Sequence, residues 1–288
     1  MIWLLISILT NTLLLLILKG FEKYGVNTLQ GIVVNYFIAG TTGLALVGIP
    51  DTSTLQVGSA GVLWIPFVLG FLFISIFFIL AKTAQVAGIS VATVANKMSL
   101  VIPVSIAIVL YNENVGWLKI IGMLAALIAV WMTSKKQEAG NFNMKYALFP
   151  ILIFVGSGII DALVNHLQQT IPNTALVPFL LSVAFLTALI IGLGVIIFRY
   201  FRYQERVGLK SIIGGIILGV PNYFSIYAVT KALNANLLET SALYPVNNMG
   251  IVVCSAIGAT LIFRERLSLL NWSGILLSVA AIALIAFS

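Results

Sequence analysis

Ten long apolar segments occupy almost the whole chain and restrict its possible folds more than any other feature. A helix that crosses a bilayer needs about 20 mostly apolar residues, and each segment is close to that length. The runs are continuous and do not alternate with polar residues, which favours helices over a membrane β-barrel. We predict an all-α polytopic membrane protein with ten transmembrane helices. The predicted segments are Ile2–Leu18, Leu29–Ile49, Val62–Ala81, Ile89–Leu110, Val115–Thr133, Tyr146–His166, Thr174–Phe198, Gly208–Val229, Leu237–Phe263 and Leu269–Phe287.

The composition excludes the soluble classes of protein. The chain is 61% hydrophobic and 8% charged, whereas soluble domains are about 45–50% apolar and about 25% charged. So few charges cannot cover a water-exposed surface, so lipid must solvate much of the protein. Basic residues in such a chain mainly set its orientation, and the net charge of +7 therefore predicts no nucleic-acid partner. We expect a multi-pass protein of the bacterial inner (plasma) membrane.

The end of the first half of the chain resembles the end of the second half. Glu113 and Glu265 each stand between two apolar segments, and Gly122 and Gly274 follow them by the same distance. Both pairs are 152 positions apart (265 − 113 and 274 − 122). This spacing predicts an internal duplication of about half the chain.

A duplication divides the ten segments into two sets of five. We place the first five-helix repeat at residues 1–136 and the second at 145–288, with Lys82 and Lys231 each following the third segment of its half. An odd number of spans per repeat inverts the second repeat relative to the first. Inverted repeats are typical of transporters that expose a site to each side of the membrane in turn. The alternative is that duplication only builds a stable fold.

The chain resembles the drug/metabolite transporter superfamily, in particular bacterial EamA-type permeases. The resemblance rests on the segment number and on two stretches, Lys231 to Val246 and Phe263 to Ser268, the second followed by a glycine-containing last helix. The stretch from Lys82 to Asn114 is a weaker copy. The resemblance implies a ten-helix carrier of small metabolites with a central cavity between the halves. It also implies that the fourth and ninth helices border the cavity and that the fifth and tenth lie at the periphery.

Polar side chains inside the apolar segments are the candidates for substrate contact. Such groups are costly at bilayer depth, so we expect them to face the bundle interior or a wet cavity. The alternative is interhelical hydrogen bonding, worth about 0.6–2 kcal/mol per contact. Tyr244, Asn247 and Asn248 beside Pro245 favour the cavity, because broken helices mark binding sites. The predicted substrate-binding residues are Asn11, Asn35, Tyr36, Asn96, Lys97, Asn222, Tyr223, Tyr227, Tyr244, Asn247 and Asn248.

Three charged residues have a candidate transport role. Lys97 lies well inside the fourth segment and is predicted either to bind an anionic substrate group or to be a structural, ion-paired charge. Asp161 is the clearest candidate for a buried acid, and Glu239 lies near the start of the ninth segment. Either acid is a candidate carrier of a coupling proton. Capping and ion pairing explain Glu113 and Glu265 better than substrate binding does.

Lysines and arginines are distributed unevenly among the connections. Twelve lie in odd-numbered connections, against Lys119 and Lys231 in even-numbered ones. This bias predicts cytoplasmic odd connections and both termini outside, whereas relatives in the superfamily often have cytoplasmic termini. The twelve are Lys19, Lys23, Lys82, Lys135, Lys136, Lys145, Arg199, Arg202, Arg206, Lys210, Arg264 and Arg266.

The function that we predict is secondary transport of a small polar or zwitterionic metabolite. A lipid flippase of the same fold is the main alternative, and an intramembrane enzyme is a weaker one, because the chain has one histidine and one cysteine and no paired-acid motif. We expect no cofactor and no metal. Small residues such as Gly122, Gly274 and the pair Gly215 and Gly219 predict close helix packing. A homodimer through the fifth and tenth helices is an open alternative.

Overall fold

The computed structural model describes residues 2–48, 50, 61–111, 116–134, 144–171, 176–234 and 240–286. These residues form helices and connections, with no β-strand among them. Ten spans are long and apolar enough to cross a membrane, which confirms the predicted all-α multi-pass architecture. The helices are Ile2–Tyr24, Thr28–Val47, Ile65–Val86, Ile89–Met98, Val101–Tyr111, Trp117–Ser134, Met144–Thr170, Leu176–Tyr203, Leu209–Asn234, Thr240–Phe263 and Leu269–Ala286.

We number the ten spans in chain order. The fourth span consists of two helices, Ile89–Met98 and Val101–Tyr111, and every other span is one helix. The first helix extends to Tyr24, six residues beyond the predicted end at Leu18. Lys19 and Lys23 therefore belong to the helix. A lysine near a helix end is tolerated there because its long side chain can extend the ammonium group to the membrane interface.

The chain forms two compact units, which cut across the predicted repeats 1–136 and 145–288. The first unit comprises Met1–Gly20, Ile79–Gly158 and Phe224–Ser288. The second unit comprises Phe21–Phe78 and Ile159–Tyr223. Each unit therefore contains spans from both halves of the sequence.

The core of the first unit lies among the fourth, fifth, ninth and tenth spans. Small residues such as Ala126 and Ala281 are fully buried there and let the helix backbones approach closely. A Cβ on Gly122 would meet Ile285 at 2.9 Å, and one on Gly274 would meet Thr133 at 2.9 Å. The start of each helix thus contacts the end of the other, so the fifth and tenth spans run antiparallel. The predicted close packing of these glycines is confirmed within the chain.

The core of the second unit contains an apolar cluster from the third, sixth and seventh spans, including Leu69, Leu167 and Leu180. Glycines again mark the close contacts. Gly70 lies against Thr187 of the seventh span, and Gly219 of the eighth span lies against Ile38 of the second. None of these glycines has room for a Cβ, so glycine is what permits the close packing.

Candidate functional site

The fourth span is interrupted at Ser99 and Leu100, where its two helices meet in a turn. Pro103 explains the interruption, because it has no N–H to donate to the carbonyl of Ser99 and its ring would clash there. The Ile102 N–H donates to that carbonyl instead, at 2.9 Å. Ser99 Oγ donates back to the Asn96 carbonyl. The break follows directly after the predicted site residues Asn96 and Lys97.

Asn96 and Lys97 are half-buried at this break. Asn96 Nδ2 donates to Ser157 Oγ of the sixth span at 2.8 Å, and Ser157 itself is buried. This is an interhelical hydrogen bond of the kind that the sequence left open as an alternative. The side-chain amide oxygen of Asn96 (Oδ1) adds an acceptor to this part of the first unit, and the Lys97 ammonium adds a cation.

The ninth span carries three of the predicted site residues. Its helix continues from Thr240 to Phe263 through Pro245. The expectation that Pro245 breaks the ninth span is therefore wrong, since the proline lies in the second turn, where few backbone hydrogen bonds precede it. Among the described residues of the first unit, the span that consists of two helices is the fourth.

The side chain of Asn247 is 95% buried, and its Oδ1 has no hydrogen-bond partner within the described part of the chain. Asn248 is half-buried, and Tyr244 is exposed. A buried acceptor without a partner costs about 1–3 kcal/mol. Such a group is therefore a candidate contact for a ligand or a water molecule.

Asn11 and Tyr227 lie in the first unit, on the first and eighth spans. Asn11 Nδ2 donates to the Ser7 carbonyl of its own helix at 3.0 Å, so its amide is partly used by the backbone. Tyr227 meets Trp3 edge to face with ring centroids 5.9 Å apart. Lys231 Nζ lies 5.5 Å from the centroid of the Tyr227 ring, within the distance of a cation–π contact.

Asn35 and Asn222 form a buried amide pair in the second unit. Asn222 Nδ2 donates to Asn35 Oδ1 at 3.0 Å, and the two side chains are 0% and 8% exposed. Asn35 Nδ2 has no hydrogen-bond partner within the described residues. The structure thus joins two of the predicted site residues directly and leaves a donor available beside them.

Tyr36 and Tyr223 also belong to the second unit. Tyr36 is fully buried, stacked on Phe185 and tilted against Phe77, with centroid distances of 5.8 and 5.9 Å. Its ring therefore lies in an aromatic cluster. Tyr223 is half-buried, and its ring lies 3.7 Å from the position of a Cβ on Gly43.

The two predicted coupling acids have different outcomes. Asp161 lies within the sixth span, but its side chain is exposed. The expectation of a buried acid is wrong, because Asp161 is exposed in the structure. Glu239 lies outside the described residues. A coupling role for either acid stays a prediction.

Glu265 lies in the connection between the ninth and tenth spans and caps the fourth span. Its carboxylate accepts hydrogen bonds from the Ile89 N–H at 2.9 and 3.2 Å. The capped helix begins after Gly88, whose φ of +111° favours glycine. The expectation of a capping role is confirmed for Glu265, while Glu113 lies outside the described residues.

Burial raises the pKa of Glu265, because desolvation disfavours the carboxylate. The N–H groups of Ile89 and Ser90 and the charge of Lys19 oppose this effect. Lys19 Nζ donates to the Gln85 carbonyl, and Gln85 Nε2 donates to the Leu18 carbonyl at 3.0 Å. The sequence analysis missed Lys19 and Gln85 as partners of this network, since only Gly88 before Ile89 signals a helix start there.

The comparisons with known proteins give a relative and a fold. No family model matches the chain. An uncharacterized protein of Haemophilus influenzae is 30% identical to it over 289 aligned positions, which cover 97% of this chain and 95% of the relative. The chain belongs to the same family as this protein. The match extends over essentially the whole length of both chains.

A solved crystal structure of another protein shares the fold of this chain. It has a TM-score of 0.56 and 13% sequence identity, and the match covers 98% of this chain and 96% of the other. At this identity the likeness concerns the fold alone. The arrangement of helices is therefore shared over nearly the whole chain, while the function must be argued from the residues.

Proposed function

We propose that the chain is a secondary transporter for a small polar or zwitterionic metabolite. The observation that carries the proposal is that corresponding residues of the two halves make the same contacts. Such matching supports an inverted duplication, and the two conformations of an alternating-access carrier arise when the two halves exchange their states. The proposal also agrees with the resemblance to EamA-type permeases.

The matching is exact in the second unit. Gly70 contacts Thr187, and Gly219 contacts Ile38. Gly219 follows Gly70 by 149 positions, and Thr187 follows Ile38 by the same 149 (219 − 70 and 187 − 38). We call residues related in this way counterparts. Each contact is therefore the image of the other under exchange of the two halves.

A second pair of contacts in this unit obeys the same rule. Gly43 contacts Ser182, and Gly192 contacts Val33, again with both counterparts 149 positions apart (192 − 43 and 182 − 33). The first contact joins the end of the second span to the beginning of the seventh. The second contact joins the beginning of the second span to the later part of the seventh. The two counterpart spans therefore run antiparallel, as an inverted repeat requires.

Matched contacts also occur in the first unit, where counterparts are 152 positions apart, the spacing of Glu113 and Glu265. Gly122 contacts Ile285, and Gly274 contacts Thr133. Both counterparts are 152 positions apart (274 − 122 and 285 − 133). The fifth and tenth spans are counterparts and also run antiparallel. The duplication is thus supported in each unit separately.

The duplication supplies an internal comparison for the buried amide pair. The counterparts of Asn35 and Asn222 are Ala184 and Phe73, which lie together in the apolar cluster of the second unit. The same helix contact is therefore built from apolar residues in one copy and from amides in the other. Because packing does not require the amides, we assign Asn35 and Asn222 to substrate contact.

The polar groups favour a substrate with both donors and acceptors. Asn247 has a buried oxygen without a partner in the described chain, and Asn35 has a buried Nδ2 without one. An apolar ligand would leave these atoms desolvated, at about 1–3 kcal/mol each. Lys97 lies beside the break of the fourth span and would give a carboxylate a charge-assisted hydrogen bond. Within the first unit, Asn247 and Lys97 thus favour a polar ligand with a hydrogen-bond donor and an anionic group. Within the second unit, Asn35 Nδ2 favours a ligand with an acceptor.

Uptake by proteoliposomes tests this proposal. Purified protein is reconstituted and offered a panel of radiolabelled amino acids, small carboxylates, amines and sugars, with a second arm that follows labelled phospholipids. We expect saturable uptake of one polar class and no lipid movement above protein-free vesicles. Lipid movement without metabolite uptake would favour the flippase alternative and contradict the proposal. Ser273→Ala is the matched control, because this exposed hydroxyl bonds the Leu269 carbonyl of its own helix.

A further inference from the structure

Five cations lie at one end of the second unit, where the first and seventh spans finish and the eighth begins. Within residues 21–27 and 199–211 they outnumber the acids five to two. We call this group the basic edge. Its members are Lys23, Arg199, Arg202, Arg206 and Lys210.

Hydrogen bonds between two connections bring the basic edge together. The Asn27 N–H donates to Ser211 Oγ at 3.2 Å. Gln30 Nε2 donates to the Arg206 carbonyl at 3.1 Å, and the Gly208 N–H donates to Gln30 Oε1 at 3.2 Å. The connection after the first span is thereby fixed to the connection after the seventh. Cations that are far apart in sequence share one surface.

The acid within this surface is neutralised locally. Glu205 accepts hydrogen bonds from Arg199 Nε at 2.7 Å and from Asn27 Nδ2. Its charge is therefore engaged by Arg199, the least exposed of the five cations. Lys23, Arg202 and Lys210 are exposed, and so is the remaining acid, Glu22. The surface that solvent meets carries a net positive charge.

Exposed aromatic rings surround the cations. Tyr24, Phe201 and Tyr203 are 66%, 73% and 66% exposed. Lys23 Nζ lies 5.8 Å from the centroid of Tyr24, and the Arg202 guanidinium lies 5.5 Å from that of Tyr203. Aromatic side chains at the ends of spans typically lie at the level of the lipid head groups. The cations therefore lie at head-group depth.

The duplicated scaffold does not need these cations. The corresponding connection after the second span, residues 48–64, contains no lysine or arginine and one acid, Asp51. Residues 167–176, which connect the sixth and seventh spans, contain no charged residue. The positive charge is thus specific to one end of the duplicated scaffold, as the bias between odd and even connections also predicts, and packing of the scaffold does not require it.

We propose that the basic edge binds the phosphate head groups of anionic phospholipids. Lys23, Arg202 and Lys210 supply the charge, and the aromatic rings fix the depth. Each cation near an anionic lipid surface contributes about a fivefold gain in affinity, which corresponds to about 1 kcal/mol. Three of them together predict a preference of at least tenfold for phosphatidylglycerol over phosphatidylcholine.

Native mass spectrometry of the full chain tests the proposal, with phosphatidylglycerol and phosphatidylcholine titrated into the detergent-solubilised protein. The variant Lys23→Gln/Arg202→Gln/Lys210→Gln is compared with Lys135→Gln/Lys136→Gln/Lys145→Gln. The control removes the same charge from another odd-numbered connection. We expect the first variant to lose the preference for phosphatidylglycerol and the control to keep it.

Three results would overturn the assignment. An equal loss in both variants would mean that only net charge matters. An equal affinity of the wild type for both lipids would remove the site. Displacement of the lipid by millimolar inorganic phosphate would identify a site for free anions. The wild type alone gives a further check if the variant fails to fold, because its binding of phosphatidylglycerol must weaken as salt rises.

Discussion

Tyr36 stacks on Phe185 with ring centroids 5.8 Å apart and planes at 28°, and these two residues are counterparts. They stand 149 positions apart (185 − 36), the offset that relates the matched glycine contacts of the second unit. Residues exchanged by a twofold axis can touch each other only near that axis. The stack therefore marks where we place the axis that relates the two copies in this unit.

The glycine contacts predict matched effects on stability. A Cβ on Gly70 would lie 2.5 Å from Thr187 Cβ, and one on Gly219 would lie 2.7 Å from Ile38 Cβ. We expect Gly70→Ala and Gly219→Ala each to destabilise the protein by about 1–3 kcal/mol, because the helices must move apart. Thermal unfolding in detergent measures the effect. Gly194→Ala is the control, since nothing lies within 4 Å of its added Cβ. Equal melting temperatures of all three variants would show that the close contacts do not contribute to stability.

Glu265 predicts a pH dependence of stability. Its pKa is raised in the folded protein by burial, so the folded state binds a proton more readily than the unfolded state does. The resulting stabilisation is complete below the ordinary glutamate pKa and is lost as pH rises through the raised pKa. We expect Glu265→Gln to flatten this decline in melting temperature.

Glu265→Ala separates the cap from the charge. It removes the acceptor for the Ile89 N–H, and the lost cap costs about 1 kcal/mol at every pH. A melting curve in which Glu265→Gln keeps the full decline of the wild type would exclude Glu265 as its source.

The amide pair can be replaced by its own counterpart. In Asn35→Ala/Asn222→Phe, the second and eighth spans receive the residues that pack as Ala184 and Phe73. We expect this variant to fold with near-wild-type stability and to lose most of its substrate affinity. Isothermal calorimetry with the transported metabolite measures the affinity. Unchanged binding in the folded variant would show that the amides have a structural role.

Lys97 and Asn247 are predicted to affect different sets of ligands. Lys97→Ala removes a cation and should weaken the binding of anionic and zwitterionic compounds about tenfold or more, while the affinity for neutral compounds stays the same. Asn247→Ala removes a buried acceptor and should lower the affinity for most compounds. Binding of one metabolite panel to the purified wild type and both variants tests the difference. If Lys97→Ala leaves every affinity intact and Asn247→Ala fails to fold, then Lys97 is a bystander and Asn247 is structural.

The sequence predicts the spans well because a bilayer demands long continuous apolar helices. It also predicts the 152-residue offset, since Glu113 and Gly122 recur visibly as Glu265 and Gly274. The 149-residue offset is also present in the sequence, since Lys82 and Lys231 stand 149 positions apart (231 − 82). The contacts that use it were not predicted, because some of their partners are chemically different residues such as Ile38 and Thr187.

Helix packing decides what the sequence could not predict. The break of the fourth span lies upstream of Pro103, at Ser99 and Leu100, where the backbone has an alternative hydrogen bond. Pro245 leaves its helix intact because it lies near the helix start. Asp161 is exposed although it lies inside an apolar segment, and no periodicity in the sequence indicates which face of that helix is covered.

Counterflow in proteoliposomes tests the central claim most directly. Vesicles that contain the protein are loaded with unlabelled substrate and placed in a trace of labelled substrate. An alternating-access carrier exchanges substrate across the membrane, so we predict that the label accumulates transiently above its external concentration, and that Ser273→Ala behaves as the wild type. Label that only equilibrates, at a rate independent of internal substrate, would indicate a channel and contradict the account.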